Sequence, residues 1–199
     1  MISVKEIKNV VVRKCLHFLI AFAPALAALN YPASVLLISA GTVFYAFVES
    51  FRASGAVPAF WKPVRFISRI TIFASHRRDK NRYVLGPLTL GAGALAALIL
   101  FPPPAAAAAI YALAAGDGLA GLAGRLFGRI RPRFLNGKSL EGSATCFAAV
   151  FVVVYAATGG LKTAFVAAFM GMAVEALPLE DFDNIALPFI VGSIAAIGL

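Results

Sequence analysis

Seven apolar runs dominate this sequence, at approximately 11–30, 33–50, 84–101, 104–126, 143–159, 161–177 and 185–199. A hydrocarbon core about 30 Å thick is crossed by roughly 20 residues of helix, and shorter runs suffice when anchors flank them or other helices surround them. With 61% hydrophobic and only 14% charged residues in 199, too little polar surface remains to coat a water-soluble globule. The chain is therefore expected to be all-α: one polytopic membrane domain over residues 1–199, a bundle of about seven transmembrane helices. The first run is no cleavable signal, because Arg13, Lys14 and His17 interrupt it. Cys15 and Cys146 both adjoin apolar sequence and form no zinc spacing, so both are expected to be buried and reduced.

Charge sets the orientation. If the N-terminus is cytoplasmic, then of the 18 Lys and Arg all but Lys162 fall on the cytoplasmic side, in the N-terminal segment and the connections Arg52–Arg82 and Arg125–Lys138. Lys and Arg accumulate on that side of membrane proteins. The net charge of +9 then reflects topology and attraction to anionic lipid, and nucleic acid is not needed to explain it. Between the second and third runs, Lys62, Arg65 and Arg69 recur at helical spacing among Trp61, Phe66, Ile67, Ile70 and Phe73. That pattern predicts an amphipathic helix over 60–73 lying in the interface. Pro102–Pro104 and the Ala105–Ala109 run read as an outer turn followed by a tightly packed helix.

Ionisable residues inside membrane spans are costly, and each marks a candidate site. Arg13, Lys14 and His17 share one helical face and together form a candidate anion site, although Lys14 alone would read as a snorkelling anchor. Glu49 and Arg52, three apart, read as a structural ion pair. Asp117 sits between Gly116 and Gly118 in a helix of Ala, Leu and Gly, with Gly121, Gly124 and Gly128 following on one face that a backbone or a ligand can approach. Packing alone would not place an aspartate there, so Asp117 is expected to serve turnover, as a metal ligand or a base, and to contribute little to folding. The connection from Asn136 to Ser143 supplies Lys138, Ser139, Glu141 and Gly142 just before an apolar helix, a pattern that resembles a helix cap and could also hold phosphate. Glu175, Glu180, Asp181, Asp183 and Asn184 add hard oxygen ligands suited to a divalent cation. Cations for phosphates and acids for a metal, beside a store of lipid alcohols, are the equipment for phosphoryl or nucleotidyl transfer. No Walker loop or glycine-rich dinucleotide turn is present.

In order and spacing, these residues resemble the CTP-dependent lipid-alcohol kinases, the membrane family that includes dolichol kinase, phytol and farnesol kinases and the yeast-type diacylglycerol kinase. The resemblance runs from Arg13-Lys14 and His17, through Gly116-Asp117-Gly118-Leu119-Ala120 with Gly124-Arg125, to Lys138-Ser139 and Gly142-Ser143. It closes on Val174-Glu175-Ala176-Leu177-Pro178 and Asp183-Asn184. The Gly-Asp-Gly-x-Ala and Val-Glu-x-Leu-Pro forms look most like the phytol and farnesol kinase branch. The resemblance implies transfer of the CTP γ-phosphoryl group to a lipid hydroxyl with Mg²⁺, at the cytoplasmic face of a cell membrane expected to be prokaryotic. It implies catalytic roles for Asp117, Lys138 and Asp183, and nucleotide contacts from Arg13, Lys14, His17, Gly116, Gly118, Gly124, Arg125, Ser139 and Gly142. The metal would be held by Asp117, Glu175, Asp183 and Asn184. Related sequences often show Asp-Asp-Asn where this chain has Phe182-Asp183-Asn184. The runner-up activity is a CDP-diacylglycerol synthase-like cytidylyltransferase, and a small-solute transporter is the alternative from another class.

Overall fold

The structure, a computed structural model, describes residues 14–15, 17–54, 83–132, 135 and 137–199. Arg13, Asn136 and the expected interfacial helix over 60–73 lie outside the described residues. All regular structure among the described residues is helical. The helices are α1 (His17–Leu29), α2 (Tyr31–Ala53), α3 (Gly86–Leu100), α4 (Pro103–Leu126), α5 (Leu140–Thr158), α6 (Leu161–Ala176) and α7 (Asp183–Ile197). Lys14 and Cys15 are helical just ahead of α1. Three helices, α2, α4 and α5, with 23, 24 and 19 residues, are long and apolar enough to cross a membrane.

The helix boundaries follow from local chemistry. Asn30 leaves helical geometry at φ −155° and caps α2 by accepting from the Ala33 N–H at 3.0 Å, with Pro32 in the first turn. Pro102 is extended and Pro103 and Pro104 open α4, where missing N–H groups cost nothing. Ser139 caps α5 through the Gly142 N–H at 3.1 Å, and Gly159 ends it in the left-handed region at φ 66°.

Successive helices run in opposite directions, as α2 with α3 and α5 with α6, whereas α3 and α7 start at the same end. Tyr31 at the start of α2 donates to the Leu98 carbonyl at the end of α3, while Glu49 at the other end of α2 accepts from the Val84 N–H just before α3. Asn184 at the start of α7 reaches Gly86 at the start of α3, and Glu175 at the end of α6 meets Ser143 at the start of α5. One end of the bundle thus gathers Lys14, Glu49, Arg52, Lys138, Glu175 and Asp183.

Helix α4 is the central element, with 67% of its apolar window buried against 11% for α2. Its Ala105, Ala108 and Ala112 pack with Val150, Val154, Ala164, Ala168 and Val191 of α5, α6 and α7, while Ala106, Ala109 and Ile110 pack with Ala23, Ala94 and Ala97 of α1 and α3. Small residues let helix backbones approach, which is how helices associate where burial from water supplies no drive. The distribution is inverted relative to a water-soluble core: Lys14, Glu49, Arg52, Glu175 and Asn184 are buried, whereas Leu36, Phe44, Val152, Phe165 and Phe169 face outward. Cys146 is buried as expected, but Cys15 is exposed, because its neighbours Lys14 and His17 take the inward face of that helix.

One close approach is enforced by a proline. Pro188 lies inside α7 and has no N–H to offer the Asn184 carbonyl four residues earlier. That carbonyl instead lies against α3, where a Cβ added to Gly93 would sit 2.0 Å from it. Since backbone cannot swing aside as a side chain can, Gly93→Ala is expected to destabilise the fold by about 1–3 kcal/mol or more. Thermal unfolding in detergent checks this, with Gly41→Ala, which would meet nothing within 4 Å, as the neutral comparison.

Candidate functional site

Asp117 ends a π-helical stretch, Ala112–Asp117, in the middle of α4. Such wider turns shift the register of the helix and recur at functional sites. The Asp117 Oδ2 atom receives two groups from the segment leading into α1: Lys14 Nζ at 2.7 Å and His17 Nε2 at 2.9 Å. Lys14 Nζ also donates to the Asp117 carbonyl at 2.9 Å. All three side chains are buried, so the expectation that Lys14 and His17 share a face holds and the acid they converge on is identified. This geometry corrects one expectation. With a buried ammonium resting on it, Asp117 contributes to folding as well, because removing one partner of a buried pair strands the other charge.

Gly116 and Gly118 bracket Asp117 and let neighbours close in. A Cβ on Gly116 would lie 3.2 Å from Val150 Cγ2 and 3.6 Å from Cys146 Sγ, and one on Gly118 would lie 3.2 Å from the Phe18 ring. Toward and just past the end of α4, Gly124 and Gly128 form the seat of Ser139, with Gly142 packed against the Ala120 carbonyl. Ser139, Gly124 and Gly142 therefore join α4 to the start of α5, while Arg125 is exposed at the same end.

The second cluster is built on the connection between α4 and α5. Arg131 donates to the carbonyls of Gly124 and Gly137, and Glu141 accepts from the N–H groups of Arg129 and Ile130 at 2.8 and 3.2 Å. Gly137, at φ 88°, supplies the left-handed turn that leads into Lys138. Lys138 Nζ then donates to the Glu175 carbonyl and lies 3.2 Å from Glu175 Oε1, while Ser143 Oγ donates to Glu175 Oε2 at 3.2 Å. The lysine side chain stays about one-third exposed, and the carboxylate is buried.

Asp183 and Asn184 form the third cluster, in the first turn of α7. Asn184 Nδ2 donates to Thr89 Oγ1 at 3.0 Å and approaches the Gly86 carbonyl at 3.4 Å. Thr89 gives its own proton to the carbonyls of Gly86 and Leu85, so only a lone pair faces the amide and the orientation of Asn184 is fixed. Among the described residues Asn184 Oδ1 is left buried with no hydrogen-bond partner, an oxygen disposed to receive a cation or a donor. Thr89→Val keeps the shape but removes the acceptor, and is expected to cost about 1–3 kcal/mol of stability, read as a lowered Tm, whereas Thr89→Ser should hold.

The first two clusters flank the start of α5, and Leu187 of α7 packs beside the first. Cys146 packs at Gly116 beside Asp117, and Ser143, one turn earlier, binds Glu175. Leu187 touches the positions of both Gly116 and Gly171, and Asp183 precedes it by one turn. Among the described residues, however, no three of His, Cys, Asp and Glu are grouped closely enough to hold a metal ion. Of the four expected metal ligands, Asp183 and Asn184 adjoin, whereas Asp117 and Glu175 are each engaged by a lysine. Nearby, Arg52 grips Glu49 through Nε at 2.7 Å and Nη2 at 2.5 Å, as the expected ion pair. Because Glu49 also accepts the Val84 N–H at 2.6 Å, the pair anchors the chain entering α3.

Thr89 and Arg131 carry this arrangement without having stood out in the sequence. Comparison with protein-family models, curated proteins and solved structures returns no match.

Proposed function

We propose that the chain is a CTP-dependent kinase of a membrane lipid alcohol, most in keeping with an isoprenoid alcohol or diacylglycerol, working at the cytoplasmic face of a seven-span bundle. The observation that carries this reading is the placement of two lysine–carboxylate pairs, one buried and one half-buried, and an Asp-Asn pair at one end of an apolar bundle. Lys14 and Lys138 supply positive charge for the nucleotide phosphates, with Arg13 added from the same segment. In the reaction, the bond between the γ-phosphorus and the β-bridging oxygen breaks, a bond to the lipid oxygen forms, and CDP departs. The hydroxyl proton passes to the Asp117 carboxylate, as Lys14 turns from that carboxylate toward the phosphates.

Magnesium fits the donors by type. A Mg²⁺ ion in a kinase site takes one or two carboxylates and completes its shell with phosphates and water, so a cage of protein acids is not required. Asp183 and the partnerless Asn184 Oδ1 are the oxygens that would hold it, and when bound it neutralises charge on the transferring phosphate.

Seven spans are supported by the alternating helix directions and by the position of Lys162 in the first turn of α6, at the end opposite Lys14, Arg52 and Lys138. A Lys138→Cys chain in intact cells is expected to resist an impermeant thiol reagent and a Lys162→Cys chain to react; the reverse pattern would remove the cytoplasmic site. The activity is tested by incubating purified protein with CTP, Mg²⁺ and a panel of lipid alcohols. A kinase releases CDP and a lipid monophosphate, a cytidylyltransferase releases pyrophosphate, and a transporter moves solute in sealed vesicles without consuming nucleotide.

A further inference from the structure

We infer that Gly121 is a positioning residue: its missing side chain makes the space in which the Lys14 ammonium reaches Asp117. The inference deepens the proposed phosphate-binding role of Lys14 and rests on that reading only for its catalytic consequence. Gly121 lies one turn beyond Asp117 on the same face of α4. A Cβ built on it would sit 2.6 Å from Lys14 Cε, 2.8 Å from Nζ and 3.9 Å from Cδ, so the three nearest atoms all belong to this one side chain. The other glycines of α4 and of its junction with α5 do different work. Gly128 and Gly142 would place a Cβ 2.1 and 2.9 Å from backbone carbonyls, Gly124 faces Ser139 at 2.9 Å, and Gly118 faces the Phe18 ring. Only at Gly121 does the obstruction fall on the far end of a long, flexible chain.

That difference decides what alanine does there. At Gly128 or Gly142 a methyl group must push apart two stretches of backbone, whereas at Gly121 it need only push aside the last atoms of Lys14. The helix can stay where it is while the ammonium leaves Asp117 Oδ2 and the Asp117 carbonyl, both now within 2.9 Å. The displaced charge then extends toward the polar face, as lysines at helix ends do. Gly121 thus controls whether the cation and the carboxylate are presented together.

The test is a double-mutant cycle between positions 14 and 121, read by melting temperature and by the KM for CTP. With Gly121 present, Lys14→Ala is expected to lower Tm and to raise the KM roughly tenfold, the scale of one charge-assisted hydrogen bond. Gly121→Ala alone should raise the KM by a similar factor with kcat less affected. Added to the Gly121→Ala chain, Lys14→Ala should change neither quantity further. Should Gly121→Ala fail to fold, the Lys14→Ala/Gly121→Ala chain must fold, because the contested space is then empty. Additive Tm changes, or a double variant that cannot fold, would overturn the inference. Coupling in Tm with no CTP turnover in any variant would keep the positioning role and remove the kinase reading instead.

Discussion

Asp117→Asn is expected to reduce CTP-dependent phosphorylation of a lipid alcohol by about 10²–10⁴-fold, the range for loss of a general base. The substitution keeps the shape of the side chain and removes its charge and its capacity to accept a proton. Because Lys14 and His17 both rest on Asp117 Oδ2 in a buried setting, the same change is expected to lower stability by about 3–5 kcal/mol, the cost of stranding one member of a buried pair. Stability and chemistry are separable. In the Lys14→Met/Asp117→Asn chain both charges are gone, so the melting temperature should recover most of the loss while activity does not return. A turnover defect that persists at saturating Mg²⁺, with an altered pH profile, identifies a base; a defect cured by excess Mg²⁺ would make Asp117 a metal ligand.

Lys138→Met is expected to raise the KM for CTP by about 10–100-fold, since a charge-assisted contact to phosphate contributes roughly twice a neutral hydrogen bond. A competing explanation is that Lys138 only caps α6, because its ammonium donates to the Glu175 carbonyl in the last turn of that helix. Capping predicts a different outcome. It limits the effect to stability, about 1 kcal/mol for a side chain that is 31% exposed. Pairing the change with Glu175→Gln removes the acid that Lys138 neutralises, so the Lys138→Met/Glu175→Gln chain should melt close to the parent. If CTP affinity recovers together with stability, Lys138 is a cap; if affinity stays low, it binds the nucleotide.

The apolar runs predicted the helices well because an apolar helix is written locally, in consecutive residues. The run at 104–126 is α4, and the run at 185–199 is α7 with its first turn added at Asp183. Asp117 was legible too, since a carboxylate among Ala, Leu and Gly has a cost that single-helix packing does not offset. Its partners were not. Lys14 lies 103 residues away, and nothing in either segment encodes which helix will stand beside which. Thr89 was invisible for another reason: a threonine in an apolar helix ordinarily satisfies itself on its own backbone, as this one does, and its second role depends on α7 lying across it. The π-helical turn before Asp117 likewise leaves no mark in a run of alanines. The division of the glycines into those that admit backbone and the one that admits Lys14 required knowing what stood opposite each.

The central claim is that the γ-phosphoryl group of CTP moves to a membrane lipid, and it is tested most directly by following that group. Purified protein in mixed micelles with Mg²⁺, an isoprenoid alcohol or diacylglycerol, and CTP labelled on the γ-phosphorus should transfer label into the organic-extractable phase. One CDP should appear for each lipid phosphate formed, and transfer should fall by about two orders of magnitude or more with Asp117→Asn. Label recovered as pyrophosphate with cytidine on the lipid, or label left wholly in CTP across the panel of alcohols, would contradict it.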